Sequence, residues 1–161
     1  MNRMPYGLKN AQATQQRFMD NTLQDVPNTV SYVDNIFTHS RTFSDHLRYL
    51  ESCFKALSTS NLSLRLDKCM FAMDRVEQFG LVISHNEISP SYENVKKIHE
   101  YPRPTNCKEL RRFLGMASYY REFIPKLAEI SDPLQELLRK NTKFVWNEKR
   151  EQAFEEIKDH I

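Results

Sequence analysis

The residues best placed to do chemistry are Asp34 and Asn35, within Ser31-Tyr32-Val33-Asp34-Asn35-Ile36. Two short β-forming runs, 29–33 and 35–39, flank this polar pair, which falls where a tight turn is expected. Asx residues suit such turns because they tolerate positive φ. A carboxylate at a turn is exposed, and its flanking strands hold it rigid. Those are the properties of a ligand for a hard divalent cation such as magnesium, which takes oxygen donors. Asn35 contributes one neutral acceptor oxygen and no charge. An ordinary hairpin turn and a metal-binding turn both fit these two residues.

A second candidate surface is cationic. Between residues 96 and 112, Lys96, Lys97, Arg103, Lys108, Arg111 and Arg112 face only Glu100 and Glu109, so six basic against two acidic residues leave a local +4. The periodicity after Pro104 predicts a helix with Leu110, Phe113, Leu114 and Ala117 inward. Lys108, Arg111 and Arg112 then fall off the apolar face. Such a flank can hold phosphates without reading bases, and Gly115 would admit a close backbone approach. A solvated helix face accounts for the same charges.

Other chemistries are poorly supported. Cys53, Cys69 and Cys107 are odd in number and lack C-x-x-C spacing, which argues for free thiols in a reducing compartment rather than a zinc site or disulfide framework. The residues do not choose between cytoplasm and nucleus. The five histidines are scattered without a ligand pattern. No apolar run is long enough to span a bilayer, so no membrane partner is expected. The net charge of +2 neither demands nor excludes nucleic acid. Oligomeric state is not legible.

The elements that must position these groups follow from period and punctuation. Residues 11–25 predict a helix with Phe18, Met19 and Leu23 inward, ended by Pro27. Thr42-x-x-Asp45 predicts a cap for a helix carrying Leu47, Leu50, Phe54 and Leu57 to about Ser58. Residues 62–66, 69–73 and 76–83 read as strands. Helices follow: a short one after Ser91, one capped by Asn106-x-x-Glu109, one with Pro133 in its first turn, and one after Asn147 carrying Ala153, Phe154 and Ile157. The composition shifts near residues 85–91, where a soft domain boundary is expected. The expected fold class is α+β, a partial antiparallel sheet with helices followed by a helical bundle.

Four segments, in order, resemble one family. Met4-Pro5-Tyr6-Gly7-Leu8-Lys9-Asn10-Ala11 with Gln16-Arg17-Phe18-Met19 is similar to the segment preceding the Tyr-x-Asp-Asp hairpin in reverse transcriptases of gypsy-type LTR retrotransposons, with Tyr6 for Phe, Gln12 for Pro and Gln15 for Phe. Tyr32-Val33-Asp34-Asn35 resembles that hairpin, with Asn35 at the second aspartate. Phe79-Gly80-Leu81-Val82-Ile83-Ser84 resembles the strand that grips the primer end, with Leu81 for His. Tyr101-Pro102-Arg103-Pro104 through Lys108-Glu109-Leu110-Arg111-Arg112-Phe113-Leu114-Gly115 to Phe123-Ile124-Pro125 is close to the thumb.

The resemblance implies a partial palm over 1–88, thumb or connection helices over 89–140, and the start of an RNase H-like domain over 141–161. The implied parent activity is template-directed deoxynucleotide addition to a primer using two Mg2+ ions. Asp34 is then the metal ligand and Asn35 the degenerate catalytic position, while a third aspartate is expected on a strand upstream of Met4. Tyr6, Gly7, Lys9 and Gln16 would border the nucleotide and template. Phe79 and Gly80 would grip the primer, and Lys108, Arg111 and Arg112 the backbone of an RNA/DNA template-primer duplex. With one carboxylate of three, the chain alone is expected to be inactive. A non-catalytic nucleic-acid-binding module and a decayed retroelement product are the alternatives.

Overall fold

The computed structural model describes residues 7–85 and 87–161. Met4, Pro5 and Tyr6 lie outside the described residues. The chain divides into two compact units, parting between Met73 and Asp74. The composition shift at 85–91 lies later, inside the second unit. There the loop at residues 79–80 is bonded to the residue preceding the next helix, Ser91 N–H donating to the Gly80 carbonyl.

The first unit carries α1 (Ala11–Leu23), the hairpin β1 (Thr29–Tyr32) and β2 (Asn35–Thr38), and α2 (Phe43–Thr59). Its core is Met19, Leu23, Val26, Cys53 and Leu57, with Ile36, Ala56 and Leu62 against it. Met19 and Leu23 are inward as their spacing predicts, but Phe18 is exposed on the other side of α1. On α2, Leu57 is buried with Cys53, whereas Leu47 and Phe54 are exposed. Thr42 Oγ1 accepts from Asp45 N–H and so caps α2 as its sequence predicts.

Residues 62–66 and 69–73 are not strands. A 3-10 turn at Leu66–Lys68 interrupts them, closed by Lys68 N–H to Arg65 O and Cys69 N–H to Leu66 O. The Arg65–Asp67 ion pair (2.6 Å) and positive φ at Asn61 and Ala72 complete a locally bonded, irregular segment. Local bonds of this kind compete with a sheet ladder.

The second unit holds β3 (Arg75–Gln78), β4 (Leu81–Ser84), β5 (Ile88–Pro90), α3 (Tyr92–His99), α4 (Cys107–Tyr119), α5 (Leu127–Gln135) and α6 (Glu148–Asp159). Its three strands form an antiparallel meander in the order β3-β4-β5. The span 76–83 is thus a hairpin rather than one strand. Gln78 pairs with Leu81, leaving Phe79 and Gly80 as a two-residue loop at φ +53° and +74°. Two successive positive φ values define the type I′ turn, whose twist matches that of the flanking strands. Mixed helix and small antiparallel sheets make the chain α+β.

Ile98, Leu110, Phe113, Ala117, Tyr120, Ile124, Leu134, Leu137, Ala153, Phe154 and Ile157 form the second core. α6 is therefore integral to this unit. Its cap is Asn147, accepting from Arg150 N–H. α4 starts on Asn106, whose Oδ1 accepts from Lys108 and Glu109 N–H, while Glu109 reaches back to the N–H and hydroxyl of Thr105. Those bonds from Thr105 hold the Glu109 carboxyl below its ordinary range. Pro133 is not in a first turn. α5 begins six residues earlier, after a left-handed Lys126, and Pro133 sits near its end, just before a 3-10 turn at Glu136–Leu138. The guanidinium of Arg150 donates to the Pro133 carbonyl and ties α6 to this stretch.

Candidate nucleic-acid interface

Tyr32 pairs with Asn35, so the hairpin loop is Val33-Asp34 and Asn35 is the first residue of β2 rather than part of the turn. Asp34 stands exposed at the tip. Val33 takes φ +56°, the sign that the first loop residue of a primed turn requires but one that a β-branched side chain resists. Gln16 of α1 holds it there. Its Oε1 accepts from Val33 N–H at 2.7 Å, and its Nε2 donates to the Ser31 carbonyl at 3.0 Å and to Asp20 at 2.7 Å. Gln16, expected at the template, thus spends its amide on the hairpin that presents Asp34. Lys9 is exposed, and Gly7 has open space where a Cβ would stand.

A divalent cation at this tip would find one carboxylate, that of Asp34, and the neutral amide of Asn35. Among the described residues no cluster of three or more His, Cys, Asp or Glu is arranged to hold a metal. These residues alone do not fit a two-metal cage. Asn35→Asp is expected to tighten Mn2+ binding at the tip by roughly tenfold, since ligand charge count sets affinity. Paramagnetic broadening of the Val33 and Ile36 amides measures it, and equal broadening in both proteins would show that position 35 does not face the ion.

In the second unit, Lys108, Arg111, Gly115 and Ser118 are exposed and recur along α4 at helical spacing. Arg111, Gly115 and Ser118 border a groove of about 490 Å³ between α4 and α5, closed on its far side by Asp132, Gln135 and Arg139. Arg112 and Lys108 do not line it. Arg112 lies close enough to Glu109 to help hold that carboxyl ionised. Arg103, counted with the basic run, is occupied structurally: it pairs with Glu151 at 3.2 Å and lies over the Trp146 ring. Arg139 was not singled out in the sequence. Its only signal is a basic pair following Leu137-Leu138.

Phe79 and Gly80 occupy the tip of the β3–β4 hairpin. The Phe79 ring is half-exposed, and a bulky residue at φ +53° costs of order 1–2 kcal/mol. A Cβ on Gly80 would stand 2.7 Å from the Tyr120 hydroxyl and 2.2 Å from Asn94 Nδ2, so both φ and space select glycine here.

The chain belongs to the reverse transcriptase (RNA-dependent DNA polymerase) family, which matches residues 1–117. It is 41% identical to the retrovirus-related Pol polyprotein from transposon 297 of Drosophila melanogaster, across 97% of this chain and 15% of that polyprotein. It is 38% identical to the transposon Tf2-7 polyprotein of Schizosaccharomyces pombe, across 96% of the chain and 12% of the relative. The chain therefore spans well under a fifth of these relatives' length. Among solved structures, a foamy viral protease–reverse transcriptase in complex with double-stranded DNA matches 98% of this chain and 28% of its own, at 29% identity and TM-score 0.88. The same viral enzyme with an RNA/DNA hybrid matches at TM-score 0.82, across 98% of this chain and 22% of its own. Reverse transcriptases work with divalent metal ions. No helix among the described residues is long and apolar enough to cross a membrane.

Proposed function

We propose that this chain is a segment of a retroelement RNA-directed DNA polymerase. The segment carries the Asp34 hairpin of the palm and the helix that follows the template-primer duplex. In this reading the whole polymerase adds deoxynucleotides to a primer with Mg2+, and residues 141–161 lead toward an RNase H-like domain. The chain by itself binds duplex and adds no nucleotide. The observation that carries the proposal is the exposed Lys108–Arg111–Gly115–Ser118 face of α4, whose Arg111, Gly115 and Ser118 border a groove with Asp132, Gln135 and Arg139 on its other side. Cations there can pair with phosphates, and the bare Gly115 backbone lets a strand approach. The match to viral enzymes solved on double-stranded DNA and on an RNA/DNA hybrid supports the same partner.

Roles follow for the remaining candidates. Gln16 acts on the template side through the hairpin it holds. Lys9 and Gly7 border the incoming nucleotide, and Phe79 and Gly80 meet the primer end. One carboxylate at the Asp34 tip favours the non-catalytic module as the second reading. Both readings leave the purified 161-residue chain without primer extension, and robust extension by it would refute that shared expectation.

Duplex binding is tested by fluorescence anisotropy with a 20-base-pair probe across a salt series. Arg111→Ala combined with Arg112→Ala is expected to weaken binding by at least about tenfold and to lower the salt slope by about two, one per lost phosphate contact. Binding that is insensitive to salt, or a slope unchanged in the double variant, would sink the reading.

A further inference from the structure

The tip of the β3–β4 hairpin is fastened in a way that neither its turn chemistry nor the core requires. Tyr119 and Tyr120, at the end of α4, both donate their hydroxyl protons to it. Tyr119 Oη bonds the Phe79 carbonyl at 2.5 Å, and Tyr120 Oη bonds the Gly80 carbonyl at 3.0 Å. Ser91 N–H donates to the same Gly80 carbonyl at 2.8 Å, so that oxygen has both lone pairs engaged. The two rings meet edge to face, 4.9 Å apart. Tyr120 is 4% exposed and anchored in the core, whereas Tyr119 is 54% exposed and stands beside the tip on the outside. Both carbonyls of a strained two-residue turn are thereby tied to one helix, the helix that carries Arg111.

We propose that Tyr119 and Tyr120 are positioning residues for a nucleic-acid end: their adjacent hydroxyls lock the Phe79–Gly80 tip onto α4, so that the tip and the Arg111 face meet one duplex as a single rigid surface. This rests on the duplex-binding reading above. The half-exposed Phe79 ring supplies a flat apolar face for a terminal base, and the clamp fixes where that face stands relative to the cations that hold the backbone. A free tip would still contact a duplex but could not register its end.

The test compares two DNA duplexes of equal length, one with a recessed 3′ end and one closed by loops at both ends, each titrated with the 161-residue chain. The wild-type protein is expected to prefer the recessed end by about tenfold, within what one base–aromatic stack supplies. Tyr119→Phe combined with Tyr120→Phe, which removes only the two hydroxyls, should bring that ratio near unity. Affinity for the closed duplex should change by less than about twofold. General destabilisation would lower both affinities together. Amide exchange at the tip should also quicken by about tenfold in the double variant, the effect of losing bonds of this kind. A double variant that keeps the end preference, or exchanges at the wild-type rate, overturns the clamp. A wild-type chain that binds both duplexes equally overturns the end-positioning role and leaves duplex binding standing. One that binds neither overturns both.

Discussion

Phe113→Ala is expected to destabilise the 74–161 unit by about 3–5 kcal/mol. Phe113 is 0% exposed, and its ring lies 4.5 Å from Phe154 of α6 and 5.6 Å from Tyr101. Three chain segments therefore lose contact with one truncation. The site has little room to collapse, because Leu110, Ala117, Leu137 and Ile157 around it are themselves fully buried. The large end of the range applies where the cavity persists. Trp146, the only tryptophan, lies edge-on to Phe154 and reports this unit's unfolding by fluorescence. Urea unfolding followed at that residue should show the midpoint falling by more than about 1 M. A loss below about 1.5 kcal/mol would mean that α4 and α6 close over the gap, and that the second core is softer than its burial implies.

What could be read from the sequence divides along physical lines. The caps at Thr42, Asn106 and Asn147 were legible because a side chain three residues ahead of a backbone N–H is a local arrangement. The inward faces of α4 and α6 were legible because the second unit buries Leu110, Phe113 and Ala117 of the first and Ala153, Phe154 and Ile157 of the second, with Leu114 partly buried. The stripe on α2 was only half right. Leu47 and Phe54 share the helical period but face outward here, and period alone cannot say which apolar face a unit covers. Residues 62–73 failed for another reason. The apolar residues of this segment fit a strand pattern, yet 3-10 bonds use backbone groups that a ladder would need, and the Arg65–Asp67 side-chain ion pair spans the same turn. The hairpin loop shifted by one residue, to Val33-Asp34, because the turn is set by a tertiary contact from α1 rather than by the Asx pair. The tyrosine clamp was invisible for the same reason: its bonds join residues 40 apart in the chain.

Gln16→Ala is the second large effect, and it tests whether α1 fixes the Asp34 tip. Removing the amide deletes the acceptor for Val33 N–H and the donors to Ser31 O and Asp20. The Val33 N–H is then left in a part-buried position without its partner, which costs about 1–3 kcal/mol. The turn also loses the bond that offsets a β-branched residue at φ +56°. The two losses act on the same three residues, so the 7–73 unit should be destabilised by about 2 kcal/mol, with Val33 amide exchange accelerated by at least about tenfold. Gln16→Glu separates the causes. It keeps an acceptor for Val33 N–H but cannot donate to Ser31 O, and it adds a negative charge near Asp20. Val33 should stay protected in that variant while stability still falls. If Gln16 served only as a contact to template, neither substitution would change Val33 exchange in the free protein. Protection lost in Gln16→Ala and kept in Gln16→Glu would instead show that the acid is aimed from α1, and that what borders a template here is a hairpin held in place by the helix behind it.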